Sequence, residues 1–311
     1  MFWLLSGLYL GWGLGANDAA NVFGTGVSSG VVRYRTAVVL SAIFVLLGAY
    51  LEGSKGIHTY GKLADFDIAT AFIATLSAAI TINVLTVLAL PVSTSQAIVG
   101  SILAAGLLGG GLNTMILLKV LLSWVLNPVV AALVSYILYR VLGMLIEGKV
   151  KNVRVWSLLM KSGFFIVGIY GSYTLGANNV ANATGVFVKS GLITAKIAAL
   201  IGGISIGIGV LTYSKRVMLT VGGKITQMSD FAALIAVLGQ SITIHIFTWI
   251  GVPVSTSQAI VGAVMGVGFV KSSRAINFKV IGRIFLGWVC TPASSFMIAL
   301  ALLKLRGFLF S

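Results

Sequence analysis

Two ten-residue segments of this chain are identical: PVSTSQAIVG occupies positions 91–100 and again 253–262. Two shorter segments are nearly so, GANDAAN at 15–21 and GANNVAN at 176–182. Asp18 gives this set its one carboxylate. Asn17, Asn21, Asn178, Asn179 and Asn182 add amides, whose carbonyl suits a hard cation and whose N–H groups suit an oxyanion. Positions i, i+1 and i+4 fall close together on a helical turn, so each motif presents a compact polar cluster. Ser93, Thr94, Ser95 and Gln96, and again Ser255, Thr256, Ser257 and Gln258, follow a proline and open a helix. Free backbone N–H groups, hydroxyls and a positive dipole end make such a turn a site for a small oxyanion. A single cluster would read as an ordinary helix cap. Two identical copies read as two halves of a grip on one tetrahedral anion.

The motifs recur at nearly constant offsets, and a third pair follows them, WVLNP at 124–128 and WVCTP at 288–292. Aligning Gly15 with Gly176 sets Asn17 against Asn178, Asp18 against Asn179, Asn21 against Asn182, and Gly30 against Gly191. A half-length unit was duplicated and fused: residues 1–143, a charged linker at 144–154, and residues 155–311. The chain is 311 residues long, 58% hydrophobic and only 9% charged. So little charge cannot cover a water-soluble domain. Apolar runs at 37–51, 68–90, 115–138, 155–175, 197–211, 231–250 and 285–303 are instead suited to a bilayer. The expected fold is an all-α polytopic membrane protein of two inverted-topology repeats, with broken or re-entrant helices around a midplane site. Pro91 and Pro253 interrupt apolar stretches, and Gly13, Gly15, Gly24, Gly26 and Gly30 predict unwound backbone at the first motif.

The net charge of +15 does not signal nucleic acid binding, because the Lys and Arg residues flank apolar runs, where they anchor helices at lipid headgroups. They are densest at 140–154 and 271–283, which places both in the cytoplasm and the C-terminus outside. Residues 1–15 lack a basic n-region and read as part of the mature fold. Five of six acidic residues (Glu52, Asp65, Asp67, Glu147 and Asp230) lie near span ends, leaving Asp18 as the intramembrane acid. His245, aligned with Asn83, reads as a hydrogen-bonded histidine within a span, and His58 as a loop residue. Cys290, the sole cysteine, excludes an internal disulfide and a thiolate metal cluster. GxxxG spacings at Gly7, Gly203 and Gly262 predict close helix packing. There is no phosphate-binding GxxxxGK[ST] loop, no HExxH and no nucleophile–base set, so the chain reads as a non-enzyme without a cofactor.

GANDAANVFGT, GANNVANATG and the paired PVSTSQA segments resemble the inorganic phosphate transporter (PiT) family, over most of the chain and in both halves. The resemblance implies a multi-pass protein of the cell membrane, with a possible homodimer. It implies import of inorganic phosphate by alternating access, coupled to sodium or protons. Matched to the motifs, Asn17, Asn21, Asn178, Asn182 and both Ser-Thr-Ser-Gln turns become phosphate ligands. Asp18, Asn179, Asn21 and Asn182 become ligands of the coupling cation. Family members usually carry Asp where this chain has Asn179, which points to fewer coupled sodium ions or to proton coupling. A sulfate or other tetrahedral-oxyanion permease on the same fold is the alternative. An anion channel, which needs no cation ligand, is the alternative from another class.

Overall fold

The computed structural model describes residues 2–65, 67–87, 92–109, 111–224, 228–271 and 278–310. Pro91, the end of the apolar run at 68–90 and residues 272–277 of the basic segment 271–283 lie outside the described residues. After a 3-10 turn at Phe2–Leu4, the described helices are α1 (Leu5–Asp18), α2 (Ala20–Ser28), α3 (Tyr34–Glu52), α4 (Ser54–Gly61), α5 (Ile68–Val87) and α6 (Thr94–Gly109). They continue as α7 (Thr114–Ile146), α8 (Val153–Lys189), α9 (Ala195–Lys224), α10 (Asp230–Ile250), α11 (Thr256–Lys271) and α12 (Phe278–Phe310). No strand occurs among the described residues beyond a single bridge between Ala64 and Leu112. Lipid offers no partner to backbone N–H and C=O groups, and helices satisfy them internally.

Seven of these helices, α3, α5, α7, α8, α9, α10 and α12, are long and apolar enough to cross a bilayer. They fall on the seven apolar runs. Their outer faces are apolar and their inner faces polar: on α7, Val125, Val129 and Leu133 are exposed while Ser123, Asn127 and Ser135 are buried. That inversion suits a lipid solvent, and the chain is an integral multi-pass membrane protein.

The first motif is not unwound as its glycines predict. Only Ala19 separates α1 from α2, and it keeps right-handed helical angles of φ −58° and ψ −26°. The second motif lies inside α8 without a break. The glycines serve contact instead. A Cβ at Gly15 would collide with the carbonyl of Ile206, and one at Gly176 with that of Val45. Gly100 and Gly262 likewise abut the carbonyls of Pro292 and Pro128. These glycine contacts of one motif copy are thus matched by the other copy on the reciprocal element. The helix pairs follow suit: α3 packs on α8 and α2 on α9, α6 on α12 and α11 on α7, α5 on α1 and α10 on α8. Gly7, Gly203 and Gly262 of the GxxxG spacings also meet neighbouring helices closely. His58 differs from expectation, since it lies in α4 and not in a loop.

One surface ion pair ties α12 to the start of α5. Arg306 binds both carboxylate oxygens of Asp67, and Asp67 Oδ1 accepts the Thr70 amide at 2.7 Å. The Arg306 hydrogen bond holds the Asp67 carboxyl well below the usual carboxylate range. Its stabilising contribution is present at neutral pH and is lost as pH falls through that lowered value. The Asp67 side chain is 54% exposed, so the contribution is screened. Asp67→Asn is expected to cost less than about 1 kcal/mol at pH 7. Thermal unfolding in detergent checks this, and the gap to wild type should narrow in strong acid.

Candidate functional site

The two duplicated turns start their helices as capped ends. Ser93 Oγ accepts the Gln96 amide at 3.3 Å, and Ser255 Oγ accepts the Gln258 amide at 3.2 Å. Helical geometry leaves the first amides of α6 and α11, on Thr94, Ser95, Thr256 and Ser257, without intrahelical acceptors. The α10–α11 connection is described in full. Gly251 ends α10 at φ +78°, a left-handed angle that glycine adopts without strain, and Val252 to Ser255 lead outside any helix to the start of α11.

Asn178 holds this connection in register. Its Nδ2 donates to the Val254 carbonyl at 2.7 Å and its Oδ1 accepts the Val254 amide at 2.9 Å. The first copy's turn reaches the same residue, since Ser95 Oγ donates to the Val254 carbonyl at 3.0 Å. Asn182 Nδ2 donates to Ser95 Oγ at 3.2 Å. Asn127, which the sequence reading did not single out, donates its Nδ2 to the Ser255 carbonyl at 2.8 Å. The repeated WVLNP segment that contains it was the available signal.

Asp18 is buried at 2% exposure, where motifs from both halves meet. Its Oδ2 accepts from Thr256 Oγ1 at 2.9 Å and from Asn179 Nδ2 at 3.4 Å, and its Oδ1 from Asn17 Nδ2 at 3.2 Å. The reciprocal pair, Asn179 and Thr94, is unlike it. Asn179 Oδ1 accepts from Asn178 Nδ2 at 2.9 Å and Asn182 Nδ2 at 3.0 Å, and the Thr94 hydroxyl has no partner. The Asn179 oxygen is thus held by its own helix while its Nδ2 reaches Asp18, and the reciprocal threonine is left without a partner.

Other buried side-chain oxygens in the motifs are also without a hydrogen-bond partner: Gln96 Oε1, Gln258 Oε1 and Asn182 Oδ1. All are acceptors. A buried acceptor left unpaired is costly, and a hard cation with its preference for oxygen ligands would satisfy it. Asn17, Asn21 and Ser257 are only half-buried, whereas Asn178, Asn179, Asn182 and Ser93 to Gln96 are buried. Asn21 stands apart from the hydrogen-bonded set, and Ser257 reaches it only through Ser255 Oγ, at 2.9 Å. The two halves of the site are therefore unequal in access.

A model of the phosphate transporter family matches residues 14–299. The chain belongs to that family. It is therefore a transporter and not an enzyme. Relatives extend over nearly the whole length. A protein of Methanocaldococcus jannaschii, provisionally named a phosphate permease, is 32% identical over 95% of this chain and 94% of its own. A chloroplastic inorganic phosphate transporter of Arabidopsis thaliana is 26% identical over 93% of this chain and 69% of its own. Among solved structures, one described as the sodium-dependent phosphate transporter superposes with a TM-score of 0.86. It covers 98% of this chain and all of its own at 24% identity, a likeness of fold.

Proposed function

We propose that the protein imports inorganic phosphate by alternating access, driven by sodium. One observation carries the reading: a buried carboxylate of one half, Asp18, bonded to Thr256 at the capped helix start of the other. Asp18 and the unpartnered oxygens of Gln96, Gln258 and Asn182 supply hard-cation ligands. The free amides opening α6 and α11, with Asn17, Asn21, Asn178, Asn182 and the Ser-Thr-Ser-Gln side chains, supply the oxyanion grip. Sodium is favoured over the proton by this surplus of carbonyl and hydroxyl acceptors, and the sodium-dependent neighbour in fold agrees. Phosphate at neutral pH is a mixture of mono- and dianion, so a carboxylate beside it calls for a compensating cation.

Residues 1–143 and 155–311 act as the two repeats. Each holds a helix pair joined at the Pro-Val-Ser-Thr-Ser turn, α5–α6 or α10–α11, and three further crossings: α1 with α2, α3 and α7 in the first, and α8, α9 and α12 in the second. A pair that returns to its own side leaves an odd number of crossings per repeat, which inverts the second copy and, with the basic linker 144–154 in the cytoplasm, puts the C-terminus outside. The half-buried Asn17, Asn21 and Ser257 line the open side, and the reverse state buries them and exposes Asn178 and Asn182.

Labelled phosphate uptake by proteoliposomes tests the substrate. Uptake unaffected by a large sulfate excess supports phosphate, and uptake suppressed by sulfate moves the reading to a general tetrahedral-oxyanion permease. The coupling has its own test. Asn179→Asp gives the Thr94 hydroxyl the acceptor it lacks and adds a cation ligand, so it is expected to raise the sodium-to-phosphate ratio. A ratio identical to wild type contradicts that role for Asn179.

A further inference from the structure

Outside the motifs, one cluster of polar side chains joins both halves of the chain. Glu52, the last residue of α3, accepts from Tyr173 Oη at 2.8 Å on Oε1. Its Oε2 accepts from Trp249 Nε1 at 3.2 Å and lies 3.0 Å from His245 Nε2. His245 Nδ1 pairs with the Tyr170 hydroxyl at 2.9 Å. Carboxylate, imidazole and hydroxyl thus form one chain from α3 through α10 to α8. The Glu52 and His245 side chains are 24% and 15% exposed, so the pair is largely shielded from solvent screening.

The reciprocal place in the fold is built differently. At the motif offset, Tyr170, Tyr173 and Glu52 correspond to Tyr9, Trp12 and Tyr213, and His245 aligns with Asn83. Tyr9 stacks on Trp12 and Trp12 meets Tyr213 ring to ring, while Asn83 bonds its own helix at Ala79. That side is aromatic packing, with neither acid nor imidazole. General helix gluing would have served both copies alike, so the Glu–His couple answers a need of one side only.

Two routes lead from the couple to the second oxyanion turn. Along α10, His245 and Trp249 lie before Gly251, where the non-helical connection to Ser255 begins. Along the other chain, Glu52 leads through Gly53 into α4, whose Thr59 hydroxyl donates to the Gly251 carbonyl. A Cβ at Gly56 of α4 would lie 3.1 Å from Pro253 and 3.2 Å from Ala181. The couple therefore clamps together the two segments that hold the turn from either side.

We propose that Glu52 and His245 are positioning residues for phosphate: they fix the turn Gly251 to Ser255, and through it Thr256, against Asp18. The proposal rests on the phosphate reading above. Loss of a charge-assisted hydrogen bond here loosens the turn and raises KM for phosphate, about tenfold, with little change in kcat. Glu52→Gln sets an amide against the His245 and Trp249 donors, and His245→Leu removes the bridge to Tyr170. His245→Gln keeps a donor toward Glu52 and an acceptor for Tyr170.

The test is the dependence of uptake on phosphate concentration in proteoliposomes, for wild type and these three variants, each checked for monodispersity and unfolding temperature. Raised KM with near-normal kcat in Glu52→Gln and His245→Leu, and recovery within about threefold of wild type in His245→Gln, is the expected result. If His245→Leu does not fold, Glu52→Gln against His245→Gln decides by the same readout. Unchanged KM in the variants, or His245→Gln as impaired as His245→Leu, overturns this proposal alone. A wild-type protein that takes up no phosphate overturns it together with the phosphate reading.

Discussion

Replacing Asp18 by Asn abolishes gradient-driven phosphate uptake while the protein still inserts and folds. The carboxylate is buried, and its three donors come from Asn17, Asn179 and Thr256. Without a cation, a charge in such a place would be held only by neutral donors, a costly arrangement for an intramembrane acid. Asn keeps the shape and leaves one carbonyl to accept from Thr256, which is why folding survives. What is lost is the one formal charge among the motif residues that can hold a cation. Removing one partner of a buried ion pair costs about 3 kcal/mol or more, which is a loss of at least about 100-fold in cation affinity. Uptake into proteoliposomes under an inward sodium gradient checks this, and undiminished accumulation by Asp18→Asn would contradict it. The Asn179→Asp variant is the reciprocal experiment, adding a charge where this one removes it.

Asn178→Leu is the second large effect, and it acts through backbone. Both polar atoms of Asn178 bond Val254, one its amide and one its carbonyl, and Nδ2 also donates to Asn179. Leucine strands that pair in a water-poor interior. Each unmet hydrogen bond costs about 1–3 kcal/mol, although Ser95 still reaches the carbonyl. A net loss of about 2 kcal/mol in positioning corresponds to about a 30-fold rise in KM for phosphate. Asn178→Asp keeps an acceptor for the Val254 amide but loses the donor to the carbonyl, so its effect should fall between wild type and Asn178→Leu. Phosphate titration of uptake in the two variants orders them. Equal KM values for wild type and Asn178→Leu would reduce Asn178 to a dispensable helix contact.

Much of this was legible in the residues. The apolar runs gave the spans, because a bilayer demands length and hydropathy that few other settings do. The identical turns gave two capped helix starts, because Ser after Pro-Val has one obvious local use. The glycines of the first motif misled, since glycine serves close approach as readily as unwinding, and sequence spacing cannot tell Gly15 against a carbonyl from Gly15 in a bend. Partner choice was also hidden. That Asp18 meets Thr256 of the other half, and not the matching Thr94 of its own, depends on how the copies exchange contacts. The Glu52–His245 couple was invisible for the same reason: its members lie 193 positions apart, and each looks ordinary alone.

Labelled phosphate uptake into proteoliposomes, under sodium and pH gradients imposed separately, tests the central claim most directly. Accumulation above the external concentration is predicted with an inward sodium gradient at equal pH on both sides. Uptake that only equilibrates, or accumulation that follows a pH gradient in the absence of sodium, would contradict it.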